Sequence, residues 1–213
     1  MLDKSLEYKG IIMRIESDKI ETVSEAKLPD GFSFKLFTPD DVPHWGSIEA
    51  SVLEFASEAE ACEYFERSYL PHLHELQKRC IFIINADDLP VATATAWFAD
   101  GKLGYQASLH WVATRPEYQG KGLGKAVVQK ALEVFRELEP GKSVWLHTQT
   151  WSHVAVRLYH SLGFNMVRSE RLAVTTTRDG TPKIYENDFN EAIQVLRAVL
   201  DAEYVDELVR TAV

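Results

Sequence analysis

The chain has 213 residues, and its 32 acidic and 23 basic side chains give a formal net charge of −9. Hydrophobic residues make up 46% of the sequence and charged residues 26%, which is typical of a globular domain that can bury a sizeable core. No apolar run approaches the roughly 20 residues needed to span a bilayer, and the acidic balance disfavours non-specific binding to nucleic acid. We therefore expect neither a membrane nor a nucleic acid as partner.

The cysteine and histidine content argues against a disulfide or metal framework. Cys62 and Cys80 are the only cysteines, which is too few for a set of disulfides or a cysteine zinc site. His72 and His74 stand two apart in a predicted helix, where side chains at i and i+2 point in different directions. The first residues carry no basic segment followed by an apolar one, so we expect no secretory signal. These features predict a metal-free protein of the reducing cytoplasm.

The first half of the chain predicts a polar segment, then helices, then a strand-rich region. Residues 1–31 are poorly patterned, although residues 11–15 predict an extra strand. Residues 32–37 alternate like a strand, Thr38 is placed to cap a helix, and residues 58–78 predict further helix with a break at their proline. Three strands then follow, at residues 80–84, 91–98 and 103–114.

In the second half of the chain, the pattern of apolar residues alternates between the helical period and that of strands. Apolar residues recur at i, i+4, i+7, i+8 and i+11, which is one face of a helix; they are Val127, Ala131, Val134, Phe135 and Leu138. A strand at residues 143–149, a helix capped by Ser152 and closed by Gly163, and strand-like residues 164–177 come next. A capping-box pattern at residues 188–191 then opens a C-terminal helix.

This order of elements predicts the fold class. A strand meander followed by alternating strands and helices indicates an α/β fold, with a mixed sheet and helices on both of its faces. The apolar stripe of the C-terminal helix leaves two alternatives open. It packs either on its own sheet or on a second copy of the chain in a homodimer.

The most informative stretch is a glycine-rich turn between a predicted strand and a predicted helix. It runs Gln119-Gly-Lys-Gly-Leu-Gly124, and its glycines permit positive φ and close approach of a ligand to the backbone. The helix N-terminus, with Lys121 and Lys125 beside it, favours an anion such as phosphate. A dinucleotide fingerprint fails because Lys125 stands where Gly or Ala is required, and a P-loop fails because Arg136 occupies its first glycine position.

Two signatures resemble those of the GNAT superfamily of acetyl-CoA-dependent N-acetyltransferases. The first, Gln/Arg-x-x-Gly-x-Gly/Ala, is met by Gln119, Gly122 and Gly124. The second is similar to the family's Asn-x-x-Ala-x-x-Leu-Tyr-x-x-x-Gly-Phe, and the matching residues are Ala155, Leu158, Tyr159, Gly163 and Phe164. Ser152 stands at the asparagine position, a departure that affects one hydrogen bond to the cofactor. Residues 146–152 also resemble a bacterial branch of the family.

The resemblance implies a mixed sheet that splays between the family's fourth and fifth strands, here residues 103–114 and 143–149. It implies an acetyltransferase domain at residues 32–186, with an N-terminal extension at 1–31 and a C-terminal helix at 187–213. It also implies acetyl-CoA as co-substrate, with no metal.

The implied contacts with acetyl-CoA come from two backbone segments. Strand residues would pair with the pantetheine arm, and these are Val112, Ala113 and Thr114. The turn and the helix start would hold the pyrophosphate, and these are Gln119, Gly120, Lys121, Gly122, Leu123, Gly124 and Lys125. Ser152 completes the predicted set.

The resemblance also implies chemical roles for a tyrosine and a histidine. Tyr159 matches the position that protonates the leaving sulfur in many relatives, and a phenol with a pKa of about 10 is close to an alkyl thiol in acidity. His110 resembles the position of a proposed base in some relatives, and an unperturbed histidine has a pKa of about 6.5. It shares a strand face with Val112 if no bulge intervenes. The rival bases are Glu117, Glu49 and Glu54.

The implied function is acetyl transfer from acetyl-CoA to a primary amine of a small molecule, by direct attack in a ternary complex. Acidic residues between positions 49 and 67 would attract a cationic amine. The predicted substrate-binding residues are Glu49, Glu54, His147 and Gln149. A non-catalytic acyl-CoA sensor and a protein-lysine or N-terminal acetyltransferase are the alternatives. Tyr159 and His110 each have a purely structural alternative as well, as a packing ring and as a buried hydrogen-bonded ring.

Overall fold

The structure is a computed structural model that describes residues 2–101, 103–175 and 182–213. Its strands are β1 (Gly10–Ile15), β2 (Ser33–Leu36), β3 (Cys80–Ile84), β4 (Pro90–Gly101), β5 (Gly104–Thr114), β6 (Val144–Gln149), β7 (Asn165–Met166), β8 (Leu172–Thr175) and β9 (Pro182–Tyr185). Its helices are α1 (Ser17–Ile20), α2 (Val42–Ser51), α3 (Glu58–Ser68), α4 (Leu73–Arg79), α5 (Leu123–Leu138), α6 (His153–Ser161), α7 (Phe189–Leu196) and α8 (Ala202–Thr211).

Seven of the strands form one mixed sheet in the order β2-β3-β4-β5-β6-β1-β7. Neighbouring strands are antiparallel except for β5 and β6, which run parallel. Within the described chain, this parallel pair is in register only at Ala107–Val144 and Ser108–Trp145, so the later residues of both strands diverge. The predicted mixed sheet and its splay are confirmed, and the splay opens a cleft in the middle of the sheet.

The predicted extra strand near the N-terminus is confirmed, and it lies inside the sheet. β1 pairs antiparallel with β6 along its whole length and with β7 on its other side. The side chains of Ile11, Ile12, Met13 and Ile15 are fully buried. The segment expected to be an N-terminal extension therefore supplies an interior strand of the sheet.

Helices cover both faces of the sheet, as predicted. One face packs against α5 to α8, and its core includes Val127 and Leu208. The other face packs against α2 to α4 through an aromatic core that includes Trp45, Tyr69 and Trp97. In the part of the chain that the structure describes, no helix is long and apolar enough to cross a membrane.

The C-terminal region departs from the sequence prediction. It forms two helices, α7 and α8, rather than one, and their apolar residues pack on the chain's own core. Asp188 makes no capping hydrogen bond to α7; its Oδ2 instead accepts a hydrogen bond from the Gly10 N–H at 2.8 Å, which ties α7 to β1. The strand-like residues expected at 164–177 form β7 and β8 with a break between them, and residues 176–177 lie outside the described residues.

The contact between α2 and α3 depends on a glycine. A Cβ added to Gly46 would overlap the Cys62 Sγ and lie 3.0 Å from the Glu58 carbonyl oxygen. We expect Gly46→Ala to lower the free energy of unfolding by about 1–3 kcal/mol, because the two helices must separate. Urea unfolding measures the loss, and Cys62→Ala in the same chain should recover part of it. Unchanged stability in Gly46→Ala would contradict this close packing.

Candidate functional site

A β-bulge in β5 shapes the cleft. Thr93 of β4 pairs with Ala113, whereas Thr95 pairs with His110, so β5 contains one extra residue at this point. Trp111 has a φ of +49°, a left-handed conformation that bulky residues rarely adopt. Such bulges re-aim side chains and are common beside active sites.

The bulge changes which residues share a face of the strand. His110 bonds to Tyr69, and Trp111 packs with the same aromatic core beneath α2 to α4. Val112 packs against the core on the opposite face. The expectation that His110 and Val112 share a face is therefore wrong, because the extra residue interrupts the alternation of side chains.

Two adjoining cavities occupy the splay between β5 and β6. One, the glycine-turn cleft, has a volume of about 410 Å³ and lies between the end of β5, the turn at residues 119–125 and the start of α6. The other, the inner cavity, has a volume of about 290 Å³ and lies between β5, β6, α2 and the N-terminal residues. The residues lining both are Leu2, Glu54, Val112, Ser152, Ala155 and Tyr159.

With two exceptions, each residue predicted for the site lines at least one of these cavities; one exception is Glu117, an exposed residue that lines neither cavity, so its candidacy as a base has no geometric support. The glycine-turn cleft is lined by Val112, Ala113, Thr114, Gln119, Gly120, Gly122, Leu123, Gly124, Lys125 and Ser152. The inner cavity is lined by Glu49, His110, His147 and Gln149, and both are lined by Glu54 and Tyr159. The other exception is Lys121, whose ammonium lies over the Tyr118 ring, 5.2 Å from its centroid.

The glycine-turn cleft has the local features of an anion site. Gly120 and Gly122 have φ values of +77° and +82°, and a Cβ on either would meet no atom within 4 Å, so the backbone is open to a ligand. Gly122 is the N-cap of α5, whose first turn carries no acidic residue. The Gln119 Nε2 donates a hydrogen bond to the Thr114 carbonyl at 3.0 Å and braces the turn. The first N–H groups of α5 lack partners within the helix, and the residues that carry them line a cleft that suits phosphate.

Tyr159 stands where the two cavities meet. Its side chain is 7% exposed. Burial raises the pKa of its phenol, and the nearby carboxyls of Glu54 and Glu49 raise it further. The hydroxyl therefore stays protonated at neutral pH and can donate a hydrogen bond, but it is a weaker acid than the phenol of a free tyrosine.

His110 is held beside the inner cavity by a buried hydrogen bond. Its Nδ1 lies 2.8 Å from the Tyr69 hydroxyl oxygen, and its buried Nε2 has no hydrogen-bond partner among the described residues. Burial lowers the pKa of His110 to about 3. The ordinary value of about 6.5 expected from the sequence is therefore wrong for this position, and the ring is neutral across the physiological range.

Two glutamates line the cavities at different depths. Glu49 of α2 is 1% exposed and lines only the inner cavity, and burial raises its pKa well above the ordinary value. Glu54 is exposed at the rim and lines both cavities, and partial desolvation raises its pKa as well. The Gln149 Nε2 donates to the Glu54 Oε1 at 3.4 Å. Both carboxyls hold a proton more readily than a free glutamate does.

His147 forms part of the far wall of the inner cavity. Its ring stacks on Tyr185 with centroids 3.7 Å apart, and burial lowers its pKa to about 4. Across the described residues, no group of three or more His, Cys, Asp or Glu side chains is arranged to hold a metal ion.

Sequence reasoning missed most of the aromatic wall of the inner cavity. The residues missed are Tyr8, Tyr64, Trp111 and Tyr185. They come from four separate segments, so no local pattern joins them. The N-terminal segment reaches the cavity because the Trp151 Nε1 donates to the Leu6 carbonyl at 2.8 Å. The position of Trp111 beside His110 was the one available signal, and the bulge reverses the face that alternation assigns to it.

The comparison with known families agrees with the two signatures. The model of the acetyltransferase (GNAT) family matches residues 47–164, which is more than half of the chain and includes the glycine turn, Tyr159 and both of the splayed strands. The chain belongs to the GNAT family. The cleft described above therefore lies in a GNAT domain.

Curated relatives of this GNAT chain are bacterial acetyltransferases. A [ribosomal protein bS18]-alanine N-acetyltransferase of Escherichia coli strain K12 is 35% identical over 74 residues, covering 34% of this chain and 48% of that protein. A mycothiol acetyltransferase of Renibacterium salmoninarum is 28% identical over 162 residues, covering 71% of this chain and 46% of that protein. The chain thus spans about half the length of the curated relatives it matches.

Solved structures share the fold of this GNAT chain. A GCN5-related N-acetyltransferase from Sphaerobacter thermophilus superposes with a TM-score of 0.60 at 18% identity, covering 76% of this chain and 49% of that one. A tandem GNAT protein from the clavulanic acid biosynthesis pathway gives a TM-score of 0.55 at 18% identity, with 76% and 51% covered. At this identity the likeness concerns the fold alone.

Proposed function

We propose that this GNAT chain transfers the acetyl group of acetyl-CoA to a primary amine of a small molecule, in a ternary complex. The observation that carries the proposal is the junction of the two cavities. The glycine-turn cleft, which suits an anion, and the inner cavity, which is lined by aromatic rings and by the carboxyls of Glu49 and Glu54, meet at Tyr159, Val112 and Glu54. A donor and an acceptor held one in each cavity would bring their reacting atoms together at that point.

The residues present fit acetyl-CoA in the glycine-turn cleft. Its pyrophosphate would accept hydrogen bonds from the N–H groups at the start of α5, where the open positions at Gly120 and Gly122 leave room for it. Lys125 adds a positive charge at the rim. The pantetheine arm would pair with residues 112–114, because the splay leaves that edge of β5 without a neighbouring strand.

The chemistry requires two proton transfers. An ammonium acceptor first gives one proton to Glu54, directly or through water, since this carboxylate lines both cavities. The amine nitrogen then attacks the thioester carbonyl, and a backbone N–H of residues 112–114 donates to the developing oxyanion. The C–S bond breaks, Tyr159 protonates the sulfur, and the second proton lost by the nitrogen restores the phenol. We assign the base to Glu54 ahead of His110, because burial makes His110 a weak base.

The acceptor class is tested by thiol release with acetyl-CoA and a panel of amines. The inner cavity has a volume of about 290 Å³, at the lower end of the range for ligand sites, and this supports a small molecule. A protein N-terminus is the second candidate acceptor. It is supported by the name of the Escherichia coli relative. It is also supported by the name of an N-alpha-acetyltransferase RimI of Mycobacterium tuberculosis that is 31% identical over 67 residues. The panel therefore includes small amines, a peptide with a free N-terminus and a lysine peptide. Acetyl-CoA binding without thiol release for any of them would indicate a non-catalytic acyl-CoA sensor.

The pH profile distinguishes the two candidate bases. The active form has Glu54 ionised, so we expect kcat/KM to fall as the pH drops through the raised pKa of this carboxyl. Glu54→Gln should remove this acid limb, whereas His110→Gln should leave it in place because His110 stays neutral until about pH 3. Amines of different basicity serve as the control, since a limb caused by the substrate moves with the substrate. If the acid limb of the kcat/KM profile persists in Glu54→Gln and disappears in His110→Gln, His110 is the general base.

A further inference from the structure

Three buried polar atoms at the inner cavity lack partners among the described residues. They are the Glu49 Oε1, the Ser108 Oγ and the His110 Nε2. Their residues are 1%, 0% and 7% exposed, and all three line the same cavity. A buried polar atom without a hydrogen bond is costly, so a concentration of three in one cavity indicates a polar group that this wall is built to hold.

The chemistry of the three atoms indicates a cation. A carboxylate oxygen accepts hydrogen bonds, and a serine hydroxyl can do so as well. The His110 ring is neutral, so either ring nitrogen can carry its proton; a bound ammonium would select the tautomer with the proton on Nδ1, which leaves Nε2 as an acceptor. The rings of Tyr64 and Trp111 line the same cavity, and aromatic faces attract an ammonium.

The two glutamates occupy different places relative to the reaction. Glu54 stands at the junction with Tyr159 and lines both cavities, whereas Glu49 lines only the inner one. The chain thus offers one carboxyl beside the reacting centre and a second one away from it. Lys4 and Lys183 also line the inner cavity with their side chains exposed, so a cation avoids that rim and is directed to Glu49.

We propose that the acceptor is a compact diamine, with one amine at the Tyr159 junction and a second ammonium held by Glu49, Ser108 and His110. This inference rests on the proposed acetyl transfer and adds the substrate class to it. Glu49 is then a specificity-determining residue. It ionises when the ammonium binds, because an opposite charge within hydrogen-bond reach favours the carboxylate.

The test compares matched acceptors. Butane-1,4-diamine and butylamine have the same carbon chain and differ only in the second amine. We expect kcat/KM for the diamine to exceed that for the monoamine by at least about tenfold, as removal of one charge-assisted contact commonly costs. Glu49→Gln should bring this ratio close to one. Glu137→Gln is the matched control, because Glu137 is an exposed glutamate of α5 outside both cavities, and it should leave the ratio unchanged.

A second measurement separates this inference from the proposed function. Calorimetry of butane-1,4-diamine with the full chain should give a dissociation constant that Glu49→Gln weakens at least about tenfold, with acetyl-CoA affinity unchanged as evidence of correct folding. If the unmodified chain gives equal kcat/KM values for butane-1,4-diamine and butylamine, the diamine proposal is wrong, while the proposed acetyl transfer is unaffected. A higher kcat/KM for an α-amino acid than for the diamine would also contradict the diamine proposal. If no amine is acetylated, the proposed function fails, and the calorimetric result still decides whether Glu49 binds the diamine.

Discussion

Gly122→Asp should lower the affinity for acetyl-CoA by at least about 100-fold. Gly122 is the N-cap of α5 and faces the open cleft. A carboxylate there would lie beside the pyrophosphate and also occupy the N–H groups at the start of α5 that we assign to it. Isothermal titration with CoA measures the loss directly, without any need for the acceptor.

The matched control for this change is Gly122→Asn. Asparagine has nearly the same shape as aspartate and also tolerates the positive φ of +82° found at this position. It carries no charge, so we expect it to retain more affinity than the aspartate variant. Aspartate is a favourable N-cap, and thermal unfolding should confirm that both variants are folded. Unchanged CoA affinity in Gly122→Asp would contradict the assignment of the glycine turn as the site that binds the pyrophosphate.

Tyr159→Phe should lower kcat by about 10- to 1000-fold and change the KM for acetyl-CoA much less. The phenol lies at the junction of the cavities, where its protonated hydroxyl would face the leaving sulfur of a donor bound in the glycine-turn cleft. Phenylalanine keeps the ring that packs near Phe164, so the binding of acetyl-CoA should be preserved. Steady-state kinetics with a reactive amine gives both parameters.

An activated donor distinguishes proton transfer from packing. A thioester with a thiol of low pKa needs little protonation of its leaving group, so the defect of Tyr159→Phe should shrink with this donor. A packing role predicts the same defect with both donors. Full turnover of Tyr159→Phe with acetyl-CoA would exclude the acid role.

The half of the site that we assign to the donor could be predicted from the sequence because its determinants are local. The glycines from 120 to 124, the strand before them and the helix after them form one continuous segment, and each position acts through backbone conformation or a helix terminus. Tyr159 was found in the same way, through the signature of a single helix. Lys121 is the exception, since its charge lies over the rings of Tyr118 and Phe32, the second of which is distant in sequence.

The acceptor half depends on contacts between distant segments. Tyr8 and Tyr185 join one wall because β1 enters the sheet between β6 and β7 and the hairpin of β8 and β9 packs nearby. The sequence predicted a strand at residues 11–15, yet strand pairing is a long-range choice that period-two alternation does not specify.

The sequence by itself determined the fold class and the glycine turn of the cleft, but not the aromatic residues that line the inner cavity. Tertiary structure decided the chemical state of the residues at the site. The bulge at Trp111 separates His110 from Val112, and burial makes His110 a poor base while it raises the pKa of Glu49. The physical reason is that a helix start or a glycine turn is fixed by neighbours along the chain, whereas desolvation is set by whatever the folded chain packs around a group.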